Sequence, residues 1–303
     1  MTSDKTSLIA LIAALAALAV AVLHPARTAG EKAAARETAY ERVIRTQTLR
    51  CGYIPTTPNF IYKDPNTGSL SGVDYEITEA LGRKMGLKIV WAEETGWATM
   101  VPALNASRFD AVCNAAWVNP NVAKEAYYAR PYYYQPTFVV VRANDNRFDK
   151  DRDALNAPEV SIASMDGDNP RFVAQEDFPK AKVYPLPDMA GDSMVMESVA
   201  TGKADATFED ANDFGDYDKH NPNKLKLVQL DKPVRIYPVA FVLPMGDDKL
   251  RGMINAAFDE MIYSGQVDKI MQRYDLYPNS YIPIERPHTL DGTTLPAQVG
   301  NSK

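Results

Sequence analysis

A helix-to-strand unit occurs twice in this chain and is the strongest constraint on its fold. The segment 100–115, MVPALNASRFDAVCNA, has the pattern of a helix that closes on a short polar turn and continues into a strand through Phe-Asp-Ala. The segment 194–210, MVMESVATGKADATFED, repeats this plan with a Gly-Lys turn and Ala-Asp-Ala. Two separate lobes built on one plan are therefore expected, and 303 residues are enough for both.

Short strand patterns alternate with amphipathic helix patterns from the first predicted strand onwards. Strands are predicted at 49–54, 88–93 and 109–115, and helices lie within 74–85 and near 100–106. Such alternation is typical of parallel strands joined by helical crossovers. We therefore predict an α/β fold in which each lobe is a sheet flanked by helices.

Two longer β-rich stretches connect the halves of the chain. They are YYYQPTFVVVR at 132–142 and PVRIYPVAFVLP at 233–244, and both are predicted to be crossover strands. Apolar residues at helical spacing predict a helix over Asp248–Tyr263 that returns to the first lobe. The predicted boundaries are 48–137 and 238–285 for lobe 1, 138–237 for lobe 2, 31–47 for a helical spacer and 286–303 for a flexible tail.

The N-terminal run Ser7–Leu23, SLIALIAALAALAVAVL, is apolar and uncharged. Its length lies between that of a signal-peptide core and that of a membrane span, so residues 1–30 are predicted to be a signal peptide or an N-terminal membrane anchor. The lack of a small-x-small cleavage site favours the anchor. One lysine precedes the run and three basic residues follow it, which the positive-inside rule places in the cytoplasm. The domain pattern outweighs this, and the predicted location is periplasmic, secreted or tethered to the outer face of the inner membrane.

The composition excludes several classes of partner. Lys plus Arg number 33 against 39 Asp plus Glu, a net charge of −6, and no basic stripe interleaves with aromatic residues. Nucleic acid is therefore not an expected partner. The three histidines are far apart in the sequence, so neither a metal site nor a cofactor is expected.

Cys51 and Cys113 are the two cysteines of the chain, and both lie in predicted strands. The simpler expectation is that they are two small buried residues. A disulfide is permitted in an oxidising periplasm if the two Cα atoms lie within roughly 7 Å, and the sequence leaves this alternative open.

Segments spread over about residues 48–278 resemble, in their order and spacing, the bacterial extracytoplasmic solute-binding proteins of family 3, the amino-acid-binding family. The segments are LRCGY, LSGVDYEITEALGRKMGL, MVPALNASRFDAVCNAAWVNP, ARPYY, TGKADATFED and LRGMINAAFDEMIYSGQVDKIMQRY. The resemblance implies a two-lobed periplasmic-binding-protein fold of type II, without enzyme activity. Such a protein closes on a small molecule and presents it to the permease of an ABC-type transporter or to a sensor. A monomer is expected.

Ligands of open α/β sheets bind beyond the carboxyl ends of the strands. The ends of the two repeated strands, 114–117 and 209–210, are therefore predicted to lie on opposite walls of a cleft. The resemblance implies that Asp210 holds a ligand ammonium group. The predicted ligand-binding residues are Asp210, Glu209, Trp117, Asn114, Asp168, Asn169, Tyr53 and Phe60, and Asp166 and Trp97 are further candidates.

The arginine that the family uses to hold a ligand carboxylate is absent. Its position, two residues after Pro120, is Val122, and the family's carboxylate-binding turn reads Gly167-Asp168-Asn169. An aspartate in that turn disfavours an anion. Trp117 and Thr57 replace a hydroxyl residue and a stacking aromatic. We therefore expect an amino-acid-like or cationic amine ligand, with a quaternary ammonium compound or a polyamine as the favoured cations. The alternative sources of a carboxylate-binding cation are Arg130, Lys124 and Arg235.

Other polar residues have simpler interpretations. Asp74 and Glu76 are expected to stabilise a helix N-terminus, and Asp110 and Asp205 are expected to be structural at the starts of their strands. The tyrosines between 127 and 134 are expected to pack around the hinge, with one of them as a possible ligand contact. Two other functions stay open: an accessory protein with a degenerate cleft, and an exported dehydratase-like enzyme that uses Glu209 or Asp168 as an acid.

Overall fold

The structure is a computed structural model that describes residues 37–56, 60–229, 231–275, 277 and 280–285. None of the helices in these ranges is long and apolar enough to span a membrane. The predicted signal or anchor segment 1–30, the predicted tail 286–303 and Thr57 lie outside the described residues.

The described residues form eight α-helices and thirteen strands. The helices are α1 Ala39–Thr46, α2 Val73–Met85, α3 Met100–Asn105, α4 Asn169–Asp177, α5 Asp192–Ala200, α6 Ala211–His220, α7 Asp248–Tyr263 and α8 Gln266–Met271. The strands are β1 Thr48–Tyr53, β2 Tyr62–Lys63, β3 Leu70–Ser71, β4 Lys88–Glu94, β5 Ala111–Trp117, β6 Ala126–Tyr128, β7 Tyr133–Arg142, β8 Ser161–Met165, β9 Lys182–Leu186, β10 Ala206–Glu209, β11 Leu225–Val228, β12 Arg235–Pro244 and β13 Ile282–Pro283.

The main sheet of the described residues has eleven strands, and its two halves, one in each lobe, have parallel strands at their outer ends; β2 and β3 form a separate pair. This arrangement confirms the predicted α/β fold with two lobes. In the first lobe β1 pairs in parallel with β4 and β5, and β12 pairs antiparallel with β5. In the second lobe β8 pairs in parallel with β9 and β10. Helices α2 and α7 contact each other in the first lobe, and α5 packs on β7 and β8 in the second.

Strand β7 belongs to both halves of the main sheet. Its residues 133–137 pair with β12 of the first lobe, and its residues 138–142 pair with β10 and β11 of the second. Strand β12 runs antiparallel beside it where the chain passes between lobes. These two strands are the predicted crossovers. The exact lobe boundaries, at 137/138 and 237/238, stay predictions.

The internal repeat is present as α3 followed by β5 and α5 followed by β10. Its two aspartates have the same structural role, as predicted. The Asp110 carboxylate accepts hydrogen bonds from Arg42 Nε at 2.8 Å and from Arg50 Nη2 at 2.9 Å. The Asp205 carboxylate likewise pairs with Arg142 and Arg147. Arg42 lies in α1, within the predicted helical spacer, so this helix is attached to the first lobe through a buried ion pair.

Cys51 and Cys113 form a disulfide, with their Cα atoms 5.5 Å apart. The expectation of two unpaired buried cysteines was therefore wrong, although both residues are buried. The physical reason is that β1 and β5 are adjacent parallel strands, with Cys51 opposite Ala111, so the two sulfur atoms meet on one side of the sheet. The disulfide joins two neighbouring strands of the first lobe.

Candidate functional site

A cavity is lined by the ends of β5 and β10, where the repeat predicted a cleft. It contains about 530 Å³ of empty space, part of which is open to solvent. Its described lining residues are Thr56, Phe60, Asp74, Trp97, Asn114, Ala115, Trp117, Gln135, Asp168, Asn169, Pro170, Asp192, Glu209, Asp210 and Asp213. Residues of both lobes therefore enclose one space.

Seven of the eight predicted site residues line this cavity. The eighth, Tyr53, packs edge-on against Trp91 with ring centroids 5.8 Å apart and is not among the lining residues. Asp166 is exposed, pairs with Arg171 and is also outside the lining. A role of these residues in ligand contact stays a prediction.

The Asp210 carboxyl group lies at the point where β10 ends and α6 begins. As the N-cap of α6 it accepts hydrogen bonds from Asn212 N at 2.8 Å and Asp213 N at 3.1 Å. Only 1% of the residue is exposed. Burial raises the pKa of Asp210 to about 6, although the hydrogen bonds act to lower it. The group is thus more readily protonated than an ordinary aspartate but still mostly ionised at pH 7, and it lines the cavity.

Glu209 is a buried acid of the site without a hydrogen-bond donor among the described residues. It is 5% exposed, and no described residue donates a hydrogen bond to its carboxyl group. Burial raises its pKa well above the ordinary value, and the negative charges of Asp192 and Asp213 raise it further. A buried carboxylate without a donor is strongly destabilised, so burial favours the protonated form of this group and a nearby cation would favour the ionised form.

Three further carboxyl groups have raised pKa values. Burial and the charge of Asp192 raise the pKa of Asp168 to about 8. Burial and the charge of Asp213 raise that of Asp192 to about 7. Burial alone raises the pKa of Asp74 to about 7 against its hydrogen bond from Ala115 N at 2.8 Å. Together with Asp213, six carboxyl groups line the cavity, and no Lys, Arg or His is among the described lining residues.

Aromatic rings form part of the opposite wall. Trp117 stacks on Tyr237, with ring centroids 4.6 Å apart and an interplanar angle of 6°, and its Nε1 donates to Gln135 Oε1 at 2.5 Å. Trp97 and Phe60 also line the cavity. The indole of Trp117 is therefore fixed in orientation and is both a cleft wall and a packing residue.

The two predicted asparagines already have protein partners. Asn114 donates to Ile54 O at 2.9 Å and accepts from Ile54 N at 2.8 Å, which ties the end of β1 to β5. Asn169 Oδ1 accepts a hydrogen bond from Asn119 Nδ2 at 2.6 Å. Asn119 follows β5 of the first lobe and Asn169 begins α4 of the second, so this bond crosses the cleft.

Residues 49–276 match the sequence model of the bacterial extracellular solute-binding proteins, family 3. The chain belongs to this family. A probable amino-acid ABC transporter-binding protein of Haemophilus influenzae is 27% identical to this chain over 76% of the chain and 85% of the relative. The L-cystine-binding protein TcyA of Bacillus subtilis is 27% identical over 75% of this chain and 80% of the relative.

Solved structures of the same fold align over most of the described family region. An ancestral amino-acid-binding protein described as a precursor of cyclohexadienyl dehydratase is 25% identical, with a TM-score of 0.67, over 78% of this chain and 99% of that protein. An ancestral arginine-binding protein bound to arginine is 25% identical, with a TM-score of 0.64, over 76% of this chain and 98% of that protein. These similarities confirm the type II periplasmic-binding-protein fold.

The described lining residues of the cavity do not include the carboxylate-binding arginine that the resemblance to family 3 implies. Val122 lies in a short 3₁₀ turn at Val122–Lys124. The three alternative cations are not among the lining residues. Each has a partner elsewhere: Asp259 for Arg130, Asn121 for Lys124, and Glu176 with Asp177 for Arg235.

Sequence reasoning missed three acids of this cavity. Asp74 was assigned to a helix start, yet its carboxylate turns inwards and also accepts a hydrogen bond from Tyr132 OH at 3.2 Å. Asp192 precedes the segment in which the repeat was recognised. Asp213 carried a usable signal, because a residue three positions after Asp210 lies on the same face of a helix. The described lining contains none of the hinge tyrosines 127, 128 and 132–134.

Proposed function

We propose that this protein is an extracytoplasmic receptor that captures a small cationic amine between its lobes and presents it to an ABC-type transporter or sensor. The observation that carries the proposal is the lining of six carboxyl groups without a Lys, Arg or His among the described residues. The eight predicted site residues, with Asp74, Asp192 and Asp213 added, are proposed to form this site.

A cation is the ligand that best satisfies these groups. Burying several carboxylates together is energetically unfavourable, and the raised pKa values of these groups reduce the cost by favouring their protonated forms. An ammonium or guanidinium group replaces those protons, because it donates charge-assisted hydrogen bonds to carboxylates and is attracted to ring faces such as those of Trp117 and Trp97. A carboxylate on the ligand is repelled by the same groups.

Some of the similar proteins support a cationic ligand, whereas others are described with glutamine or L-cystine, whose side chains are not cationic. Proteins with this fold include one described as bound to arginine and one described as complexed with lysine. Both of those ligands carry a cationic side chain. Loss of the carboxylate-binding arginine favours the decarboxylated forms of such molecules, which are agmatine for arginine and cadaverine for lysine. Another polyamine or a quaternary ammonium compound would fit for the same reason.

The proposed location is outside the cytoplasm, and the disulfide supports it because disulfides persist in oxidising compartments. Residues 1–30 are proposed to direct export, either as a signal peptide or as an anchor in the membrane. The protein is proposed to act as a monomer whose lobes present the ligand to a permease.

Matched pairs of ligands test the proposal. Thermal unfolding of the purified protein is measured with two matched pairs, agmatine with arginine and cadaverine with lysine. Choline, glutamate and a sugar are tested as single compounds. A ligand at 100 times its Kd stabilises by about 2.7 kcal/mol, which raises Tm by several degrees. We expect the decarboxylated member of each pair to raise Tm more. Equal shifts within the pairs, or a shift with glutamate alone, would contradict the proposal.

The dehydratase-like alternative rests on Glu209 or Asp168, because a carboxyl group with a raised pKa is what a general acid requires. One structural neighbour is described as a precursor of cyclohexadienyl dehydratase. Turnover of a compound that raises Tm would favour this enzyme. The absence of any shift across the panel would favour the accessory protein with a degenerate cleft.

A further inference from the structure

A single carboxylate joins the two lobes at the rim of the cavity. Asp188 Oδ1 accepts a hydrogen bond from Ala98 N at 2.9 Å, and Asp188 Oδ2 accepts one from Thr99 Oγ1 at 3.2 Å. Asp188 follows β9 of the second lobe, whereas Ala98 and Thr99 follow β4 of the first. Both oxygen atoms of the group are therefore used across the cleft.

The backbone around this contact allows a close approach that larger residues prevent. A Cβ atom on Gly96 would lie 2.1 Å from Asp188 Oδ2. A Cβ atom on Gly167, whose φ is +79°, would lie 2.6 Å from Ala98 Cα. Glycine at both positions lets the loop after β4 meet the second lobe without a clash.

Asp188 acts beside the ligand cavity and not within it. It is not among the described residues that line the acidic cavity, but it lines an adjoining cavity that shares Thr56, Trp97 and Asp192 with the first. A residue in this position contacts the opposite lobe when the cleft is closed. Its negative charge also helps to raise the pKa of Asp168, although its carboxylate does not line the acidic cavity.

Three hydrogen bonds thus cross the cleft among the described residues named so far, and they are of two kinds. The bond between Asn119 and Asn169 joins two neutral amides. The Asp188 bonds have a carboxylate as acceptor, and hydrogen bonds with one ionised partner are roughly twice as strong as neutral ones. Asp188 is therefore the stronger candidate for a group that favours the closed arrangement.

We propose that Asp188 is a positioning residue that latches the lobes in the closed arrangement and slows the escape of a bound molecule without touching it. Because the latch bonds exist only when the lobes meet, they shift the equilibrium between open and closed forms towards the closed one. Removing them lowers the closed fraction, and the apparent affinity falls with that fraction. The inference deepens the proposed function but does not depend on the chemistry of the ligand.

The first test needs no ligand. Full-length Asp188→Ala and wild-type protein are compared by small-angle X-ray scattering and by hydrogen exchange at the Ala98 amide. We expect a larger radius of gyration and faster exchange at Ala98 in the variant, with Tm within two degrees of wild type. Asp166→Ala is the matched control, since Asp166 is an exposed acid of the same lobe paired with Arg171. An unchanged scattering profile and unchanged exchange at Ala98 in Asp188→Ala would overturn the latch.

A kinetic test uses agmatine as the probe in stopped-flow experiments. The dissociation rate is expected to rise roughly tenfold in Asp188→Ala with an association rate within twofold of wild type. The double variant with Thr99→Val is expected to add little to Asp188→Ala, because the two residues share one bond. Additive effects would contradict the latch. If agmatine does not bind, the proposed function fails, while the scattering and exchange results still decide the latch.

Discussion

Asp210 and Asp213 are held on one face of α6 by the cap that begins the helix. The Asp210 carboxylate accepts the backbone N–H of Asp213 at 3.1 Å, and both residues line the cavity. One side chain therefore stabilises the helix and also contributes negative charge to the site. A useful substitution has to separate these two effects.

Asp210→Asn keeps the cap and removes the charge. Asparagine is as good an N-cap as aspartate, so the free energy of unfolding should change by less than about 1 kcal/mol. Affinity for agmatine should fall about 100-fold, since an ion pair in a closed cleft is lost. Urea unfolding and isothermal titration calorimetry measure the two quantities.

Asp210→Ala is the companion variant. It should lose the cap as well, which costs about 1 kcal/mol of unfolding free energy. An agmatine affinity of Asp210→Asn equal to that of wild type would remove Asp210 from the proposed site, whatever the stability of either variant.

The raised pKa values predict how stability depends on pH. Burial raises the pKa of Asp74 and Asp192 to about 7 and that of Asp168 to about 8. The native state then binds more protons than the unfolded chain, in which these groups titrate near 4. Stability from these protons is fully present below pH 4 and is lost as the pH rises through 7 to 8.

Urea unfolding without added ligand should therefore give a clearly lower free energy of unfolding at pH 8 than at pH 5, because the protons that the native state holds at pH 5 are lost by pH 8. Asp168→Asn should flatten this dependence, because the amide does not titrate. A free energy of unfolding that rises from pH 5 to pH 8 would show that the acids are not protonated in the native cavity.

Binding of a cation should release protons. An ammonium group beside these carboxyl groups favours their ionised forms and lowers their pKa values towards the ordinary range. Calorimetric titration of agmatine at pH 7 in phosphate and in Tris should therefore show a heat difference that corresponds to net proton release, and affinity should be higher at pH 8 than at pH 5. Proton uptake on binding would exclude a cationic ligand held by these acids.

The position of the cavity could be predicted from the sequence, because the repeat shows where its two strands end and these ends line the cavity. The strands that carry Asn114 and Glu209 were predicted within two residues, and the parallel strands of each lobe have their carboxyl ends at the edge that faces the cleft. The loss of the carboxylate-binding arginine was also visible in the sequence, since the departure at Val122 is a matter of residue type. The fold and the acidic character of the site were therefore predictable.

Lateral neighbours and side-chain direction were not predictable in the same way. The disulfide depends on β1 and β5 being adjacent, which periodicity along either strand does not show. An acid in the first turn of a helix has the same pattern whether it faces solvent or the interior, so Glu76, which pairs with Arg273, and Asp74, which lines the cavity, were indistinguishable. The latch contact of Asp188 joins two loops for which the sequence has no pairing signal.

The disulfide is expected to stabilise the first lobe. It closes a chain segment with a sequence separation of 62, for which loop-closure entropy gives about 4 kcal/mol. Cys51→Ser with Cys113→Ser should lower the free energy of unfolding by about 2–4 kcal/mol. Agmatine affinity should change less than threefold, because Asn114 keeps its own two bonds to Ile54. Reduction of the disulfide in the wild-type protein should lower the free energy of unfolding by a similar amount. If neither the double substitution nor reduction changes this free energy, the disulfide has no structural role.

Asp110 offers a contrast with Asp210, since both are buried acids but Asp110 does not line the cavity. Its side chain is 1% exposed and pairs with Arg42 and Arg50. Removing one charge from a buried ion pair leaves the other unpaired, so Asp110→Asn should cost about 3–5 kcal/mol of unfolding free energy. Agmatine affinity of the folded protein should not change.

Asp205 is the matched control for Asp110, because it precedes β10 as Asp110 precedes β5. Its side chain is 20% exposed, so water compensates the arginines when the carboxylate is removed. Asp205→Asn should therefore cost less than Asp110→Asn. An equal cost at both positions would show that burial does not set the strength of these ion pairs, and a loss of agmatine affinity in Asp110→Asn would extend the functional site into the core of the first lobe.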